Sequence, residues 1–289
     1  MDQVRQAAIK ALIYGDIFNY PLTAEEMWEY AIATQPFSQK KLSPVYRWLK
    51  EKNFSNNIFY FLSGKESLIT TRQVRQQASE KKIEKAKRVS RILSYIPTIC
   101  FIGISGSVAM KNASEQDDID LFFVTKKHTL WITRFLVSVV LLVLGVRRKK
   151  HAQTVTNTVC ANMFLSRDAY AFPKEQQNIY IAHEIAQIIP LYSLKHTYDD
   201  LINHNKWIYT FLPNWRKKHI SVSHQSLIGG MIAVVLSWGE PLVRWMQLTY
   251  MRKSRTTETV TNTVIAFHPN NRQDSVLASF IKKCNIYDL

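Results

Sequence analysis

The stretch that most constrains this 289-residue chain runs from Ile99 to Val124. Ile99-Cys100-Phe101-Ile102 reads as a short apolar strand that meets a turn holding Gly103 and Gly106, two of only 8 glycines in the chain. After a short polar gap, Asp117-Asp118-Ile119-Asp120-Leu121-Phe122-Phe123-Val124 reads as a second strand. Side chains two apart on a strand share a face, so Asp118 and Asp120 point the same way. Buried bare, each carboxylate would carry a desolvation cost of several kcal/mol. A divalent cation resolves that cost. Hard oxygen ligands suit Mg²⁺ (or Mn²⁺), which usually reaches a protein through a carboxylate or two plus substrate phosphates. The Gly106-Ser107 turn adds what phosphates need: backbone N–H groups at a helix start, room for close approach, and a hydroxyl. Together these residues predict a site for a nucleoside triphosphate with metal.

Competing motifs fail at named positions. A P-loop requires Gly-Lys-Ser/Thr where this chain has Gly106-Ser107-Val108. A nucleophile elbow needs glycine where Ser107 stands, and a dinucleotide fingerprint lacks its third glycine. His183-Glu184 is followed by Gln187 in place of the second histidine of a zinc motif, so His183 is expected on a helix surface or in a core.

Gly106-Ser107, a gap of ten residues and then Asp118-Ile119-Asp120 resemble the signature of the polymerase-beta-like nucleotidyltransferase superfamily, over roughly residues 99–125. The resemblance implies a nucleotidyltransferase fold in which Gly106 and Ser107 hold the triphosphate and Asp118 and Asp120 bind metal. It implies transfer of a nucleoside monophosphate from an NTP, with ATP the expected donor, to a hydroxyl on RNA, protein or a small molecule. More loosely, the chain is similar to bacterial proteins that pair such a domain with an amino-terminal unit containing Tyr20-Pro21-Leu22-Thr23 and later sequence such as Asn205-Lys206-Trp207 and Phe211-Leu212-Pro213-Asn214. Superfamily members commonly place a third carboxylate on a later strand, but no acid lies between Asp120 and Asp168. Asn162, on an expected strand over 159–165, and Asp168 are the candidates for that place, with Asn162 favoured because Asp168 follows Ser166-Arg167 beyond the strand end. A neutral amide holds a metal-bound water but is no general base. The alternative is a nucleic-acid-binding regulator with a catalytically weak transferase domain.

Charge is consistent with polyanionic partners: 38 Lys and Arg against 22 Asp and Glu give 38 − 22 = +16. The runs Arg147–Lys150, Arg216–Lys218 and Arg252, Lys253, Arg255 are each read first as solvated faces, and jointly as a basic surface for RNA or DNA. A hydrophobic share of 46% excludes a disordered or fibrous chain. Cys100, Cys160 and Cys284 are too scattered for a disulfide framework or a CxxC metal site, and Met1–Lys10 is polar, so a cytoplasmic location is expected.

Leu130–Val146 is nearly all apolar, yet the uncharged part after Arg134 is twelve residues, about 18 Å of helix against a hydrocarbon core of about 30 Å. Leu227–Trp238 is equally short. Both are expected to be buried core helices without stable membrane insertion. The alternative is a peripheral membrane protein held through residues 130–150.

The chain reads as α+β. Residues 1–71 form a winged-helix-like unit: a helix over Gln3–Tyr14 with Ala7, Ala8, Ala11 and Leu12 on one face, a second capped by Thr23 with Glu26, and a third from Ser43-Pro44 carrying Val45, Trp48 and Leu49. A hairpin follows, from Asn57–Leu62 through Ser63-Gly64-Lys65 to a return strand over Ser67–Thr70. Tyr46, Arg47, Lys50 and Lys52 are the side chains such a unit would turn to DNA. Residues 72–98 read as an exposed linker helix, 99–170 as a nucleotidyltransferase core with a small mixed sheet, and 171–289 as helical.

Overall fold

The computed structural model describes residues 3–56, 58–62, 64–148, 155–224, 226–252, 259–266 and 270–289. The amino-terminal unit comprises α1 (Gln3–Ile17), β1 (Leu22–Thr23), α2 (Ala24–Glu29), α3 (Ser43–Glu51) and β2 (Phe59–Tyr60). Ala7, Ala8, Ala11 and Leu12 are all buried, as their spacing predicts. The capping box closes as read: Thr23 Oγ1 accepts from the Glu26 amide at 3.2 Å, and Glu26 Oε2 accepts from the Thr23 amide at 2.9 Å. The expected hairpin differs. β2 pairs with β1 through Leu22↔Tyr60, while residues 68–70 open the next helix, α4 (Leu68–Leu93). A long run of Arg, Gln, Lys and Ala follows them, and once nucleated a helix propagates cheaply, whereas an isolated strand pair is marginal. Asn57 and Ser63 of that hairpin lie outside the described residues.

α4 is not the exposed linker expected for 72–98. Ala78, Ser79, Lys82, Ala86, Val89 and Leu93 are buried on one face, and Arg72 is 2% exposed. Arg72 donates to Glu26 at 3.0 Å and to the Lys111 carbonyl at 3.3 Å, with its guanidinium 4.1 Å from the Tyr20 ring centre. One buried cation therefore ties the amino-terminal unit to the rest of the chain.

The remainder is built on one mixed sheet. In chain order come β3 (Ile99–Ile104), α5 (Gly106–Ala109), β4 (Ile119–Thr125), α6 (Leu130–Val143), β5 (Val159–Ser166), α7 (Ile179–Gln187), β6 (Ile189–Leu194), α8 (Thr197–Asn203), α9 (Ile208–Phe211) and β7 (Val222–Ser223). α10 (Leu227–Trp238), α11 (Glu240–Arg252), β8 (Thr259–Val260), β9 (Val264–Ala266) and α12 (Asn270–Ile286) follow. The strand order is β7-β6-β3-β4-β5-β9-β8, with β4/β5 and β6/β7 parallel and the other pairs antiparallel. The expected boundary at residue 170 does not divide this sheet. β6 pairs with β3 and β9 with β5, so the segment read as helical supplies strands on both sides. Pro190 masks β6 in the sequence; it sits where the β3/β6 register shifts, an irregularity at which a missing N–H is tolerated.

All six residues of β3 are buried, as a strand covered on both faces requires. β4 alternates: Ile119, Leu121 and Phe123 pack with α4 and α6, while Phe122 and Val124 pack with α7, α8 and α9. Asp118 and Asp120 precede Phe122 on the latter face by the two-residue period. The quoted asparagines are structural. Asn205 is fully buried, donates to the Tyr170 and Leu201 carbonyls and accepts from the Phe172 amide; Asn214 accepts from the Phe37 amide and donates to the Trp28 carbonyl, joining the two ends of the chain.

The two apolar helices part company. α6 buries Leu130, Trp131, Val137 and Leu141, as expected of a core helix, and leaves Leu142 and Val143 exposed. α10 overturns the expectation, since Ala233 is its one buried side chain. Its neighbours cover only that narrow strip, and burial depends on such partners rather than on apolarity. Among the described residues no single helix is long and apolar enough to cross a membrane.

Candidate metal and nucleotide site

β3 ends at Ile104, and the chain turns at Ser105 into α5, a single helical turn. Gly106 has φ +65°, and a Cβ there would stand 3.0 Å from Asp120 Oδ2. Only glycine combines that backbone with that proximity. The turn and the acid pair, widely separated in sequence, are thus pressed together, and the Ser105 amide donates to the Asp120 carbonyl at 3.0 Å. Ser107 Oγ lies 3.4 Å from Asp117 Oδ2. Ser105 Oγ is buried with no hydrogen-bond partner.

α4 holds the loop that delivers the acids. Lys82, 2% exposed, donates to the carbonyls of Glu115 at 3.1 Å and Asp117 at 2.7 Å and to Asn157 Oδ1 at 3.2 Å. Ser79 Oγ accepts from the Ala113 amide at 3.0 Å. Asp117 itself is spent on Ser114, accepting from both its amide and its hydroxyl at 2.9 Å. Asp118 and Asp120 lie together beside the Gly106 turn.

On β5 the residue registered with Asp120 is Cys160, and ligand atoms of Asp118, Asp120 and Cys160 all lie within 4.8 Å of one another. Cys160 thus occupies the place for which Asn162 and Asp168 were the sequence candidates. Asn162 lies one two-residue step further along the strand, buried beside a register shift. Asp168 is not brought to the pair. It follows Ser166, six residues beyond Cys160 or about 20 Å along the strand, and accepts a hydrogen bond from Ser166 Oγ.

Arg148 supplies the countercharge, donating to Asp118 Oδ2 at 2.8 Å. Burial, then the adjacent Asp118, pushes the Asp120 carboxyl up to about 7, against the pull of Arg148; Glu184 on α7 adds to the rise. Burial raises Glu184 too, opposed by Arg272 and by a hydrogen bond from Tyr180. The Cys160 thiol is pushed up to about 12, by burial first and then by the two aspartates, and so stays protonated. Sequence reasoning missed Cys160, Arg148 and Glu184. The parallel register of β4 and β5 would have identified Cys160, but nothing in the chain fixes that register locally.

His183 is a core residue: 2% exposed, stacked 3.7 Å from Tyr14 and bonded to the Ile179 carbonyl at 2.8 Å, with burial lowering its pKa to about 4. The basic run Arg216–Lys218 is engaged within the fold. Arg216 lies over Trp28, Lys217 pairs with Asp199, and Lys218 donates to the Gln187 and Ile188 carbonyls. Lys149, Lys150, Lys253 and Arg255 lie outside the described residues. Of the side chains expected to face DNA, Arg47, Lys50 and Lys52 are exposed, while Tyr46 turns inward and donates to the Ala24 carbonyl at 2.9 Å.

The donor set fits a hard divalent cation in part. Two convergent carboxylates, one of them held against a glycine turn, suit Mg²⁺ or Mn²⁺; a protonated thiol does not. The buried Ser105 hydroxyl, which has no hydrogen-bond partner, is a polar group left for a ligand to satisfy. No protein-family model, curated protein or solved structure matches the chain.

Proposed function

We propose that this chain is a Mg²⁺-dependent nucleotidyltransferase, its sheet a nucleotidyltransferase core and its amino-terminal unit a winged-helix-like module. The observation that carries the reading is the contact between Gly106 and Asp120. It sets a glycine turn at a helix start against a carboxylate pair, the juxtaposition that a metal–triphosphate site would use.

Asp118 and Asp120 would hold the cation, which when bound neutralises charge on the leaving pyrophosphate and acidifies the acceptor hydroxyl. The Ser107 hydroxyl, the Ser105 hydroxyl and the amides of the turn orient the phosphates. Arg148, paired with Asp118 at 2.8 Å, would offer its guanidinium as a positive charge to the phosphates of a bound triphosphate. Glu184, which accepts a hydrogen bond from Tyr180, is near enough to raise the Asp120 carboxyl. The acceptor is a hydroxyl on RNA, protein or a small molecule.

One observation favours a second reading, a nucleotide-binding module that transfers slowly. The residue opposite Asp120 is a neutral thiol, so no carboxylate stands there as general base. Incubation of the full chain with labelled NTPs, Mg²⁺ or Mn²⁺ and a mixture of cellular RNA, protein and metabolites separates the two. Transfer predicts metal-dependent label on one acceptor class, lost in Asp118→Asn and Asp120→Asn. Binding without label supports the second reading, and label unchanged in both variants excludes either.

A further inference from the structure

α10 and α11 meet with a bend of 56° at Gly239, and the corner rests on α6, where Ile132 Cδ1 is 3.5 Å from the place of a Gly239 Cβ. Two polar side chains of α11, Glu240 and Gln247, hold it there. Glu240 accepts from the Trp131 and Ile132 amides at 2.8 and 2.9 Å, closing the start of α6, and Gln247 donates to the Trp131 carbonyl at 2.7 Å and accepts from Arg134.

What remains outward is apolar. On α10, Leu227, Ile228, Met231 and Val235 are 58 to 89% exposed. The helix carries no charge, and its serines are satisfied locally: Ser226 accepts from the Gly229 amide at 3.1 Å and Ser237 donates to the Val234 carbonyl at 2.6 Å. The interior amides of such a helix bond within it and both serines have a local partner, so its outward side chains suit hydrocarbon. A protein partner fits it less well, since protein interfaces are only a little over half apolar and carry regular hydrogen bonds. At twelve residues, or about 18 Å, α10 is too short to cross a bilayer and long enough to lie in its boundary. Trp238, Trp245 and Tyr250 are 65 to 80% exposed and have the rings that settle at headgroup level. Arg244 is exposed beside them, and the +16 charge of the chain complements an anionic surface.

We propose that α10 and the adjoining part of α11 embed in one leaflet of an anionic phospholipid membrane, as an interfacial anchor independent of the nucleotide site. This assigns lipid contact to residues 227–250, whereas the sequence reading buried both apolar helices and offered 130–150 only as the alternative.

The test uses full-length protein and sedimentation with vesicles, either phosphatidylglycerol mixed with phosphatidylcholine or phosphatidylcholine alone, at about 0.1 M and about 1 M salt, between which the screening length falls from about 10 to about 3 Å. Wild type stays with the anionic vesicles at both salt levels, and its tryptophan emission shifts to the blue. Ile228→Asp/Val235→Asp lowers partitioning by roughly tenfold or more, since it sets two charges in the apolar boundary. Both sites are exposed, so its circular dichroism and unfolding midpoint match wild type. Absence of binding, or equal salt-driven release of wild type and variant, overturns the proposal. So does a wild-type dimer that the variant dissociates while neither binds lipid, which would give this face to a second copy.

Discussion

Gly106 and Asp120 constrain each other. Gly106→Ala imposes a left-handed backbone on a residue with a Cβ, at about 1–2 kcal/mol, and pushes that carbon at the carboxylate; a weaker nucleotide affinity with a modestly lowered unfolding midpoint is the expected result, read by titration and thermal melting. Asp120 has a measurable cost to the fold. It titrates near 3.8 when unfolded and near 7 when folded, so between those values the folded state keeps a proton that the unfolded chain has lost. Stability therefore falls as pH rises through that window, by on the order of 4 kcal/mol at most, at about 1.4 kcal/mol per pH unit. Asp120→Asn should be more stable than wild type at about pH 8 and equal to it near pH 4 in denaturant titrations, while losing activity. A variant destabilised at about pH 8 would show that Asp120 is a structural residue. His183 acts with the opposite sign: depressed from 6.5 to about 4, it contributes stability that is present above 6.5 and lost as pH falls toward 4. His183→Leu should lack that acid-side loss. Cys160→Asp places a carboxylate where the chain has a thiol. It should raise metal affinity on the order of tenfold, about 1.4 kcal/mol, at some cost to stability without metal.

At the scale of elements, α4 is the scaffold of the site. Lys82→Met leaves the Glu115 and Asp117 carbonyls without their donor, at about 1–3 kcal/mol, and frees the loop ahead of Asp118. Its expected signature is a raised KM for metal and nucleotide with a smaller change in kcat; an unchanged KM would mean that the loop holds its place without α4. Elements with local causes were legible in the sequence: the Thr23–Glu26 cap, the buried face of α1, the strand–turn–strand around Gly106 and the strand beginning at Val159. Elements whose partners lie far along the chain were not. Residues 68–70 read as a strand until the helix beyond claims them, β6 is masked by Pro190, and α10 is as apolar as a core helix although almost nothing covers it. Gly106, Ser107, Asp118 and Asp120 were legible because one turn and one strand carry them, whereas Cys160 and Arg148 enter through a parallel pairing across a crossover helix.

In the whole molecule, the seven-stranded sheet separates two apolar layers, and the acid pair lies where β3 gives way to its turn and β4 and β5 begin. The amino-terminal unit is fastened to that body by Arg72 and Asn214. The central claim is that Asp118 and Asp120 hold a divalent cation against a triphosphate on the Gly106 turn. Electron paramagnetic resonance of Mn²⁺ with a non-hydrolysable ATP analogue measures it most directly. The account predicts bound Mn²⁺ in wild type whose signal changes when the analogue is added, and loss of binding in Asp118→Asn and Asp120→Asn. Equal Mn²⁺ occupancy in wild type and both variants would contradict it.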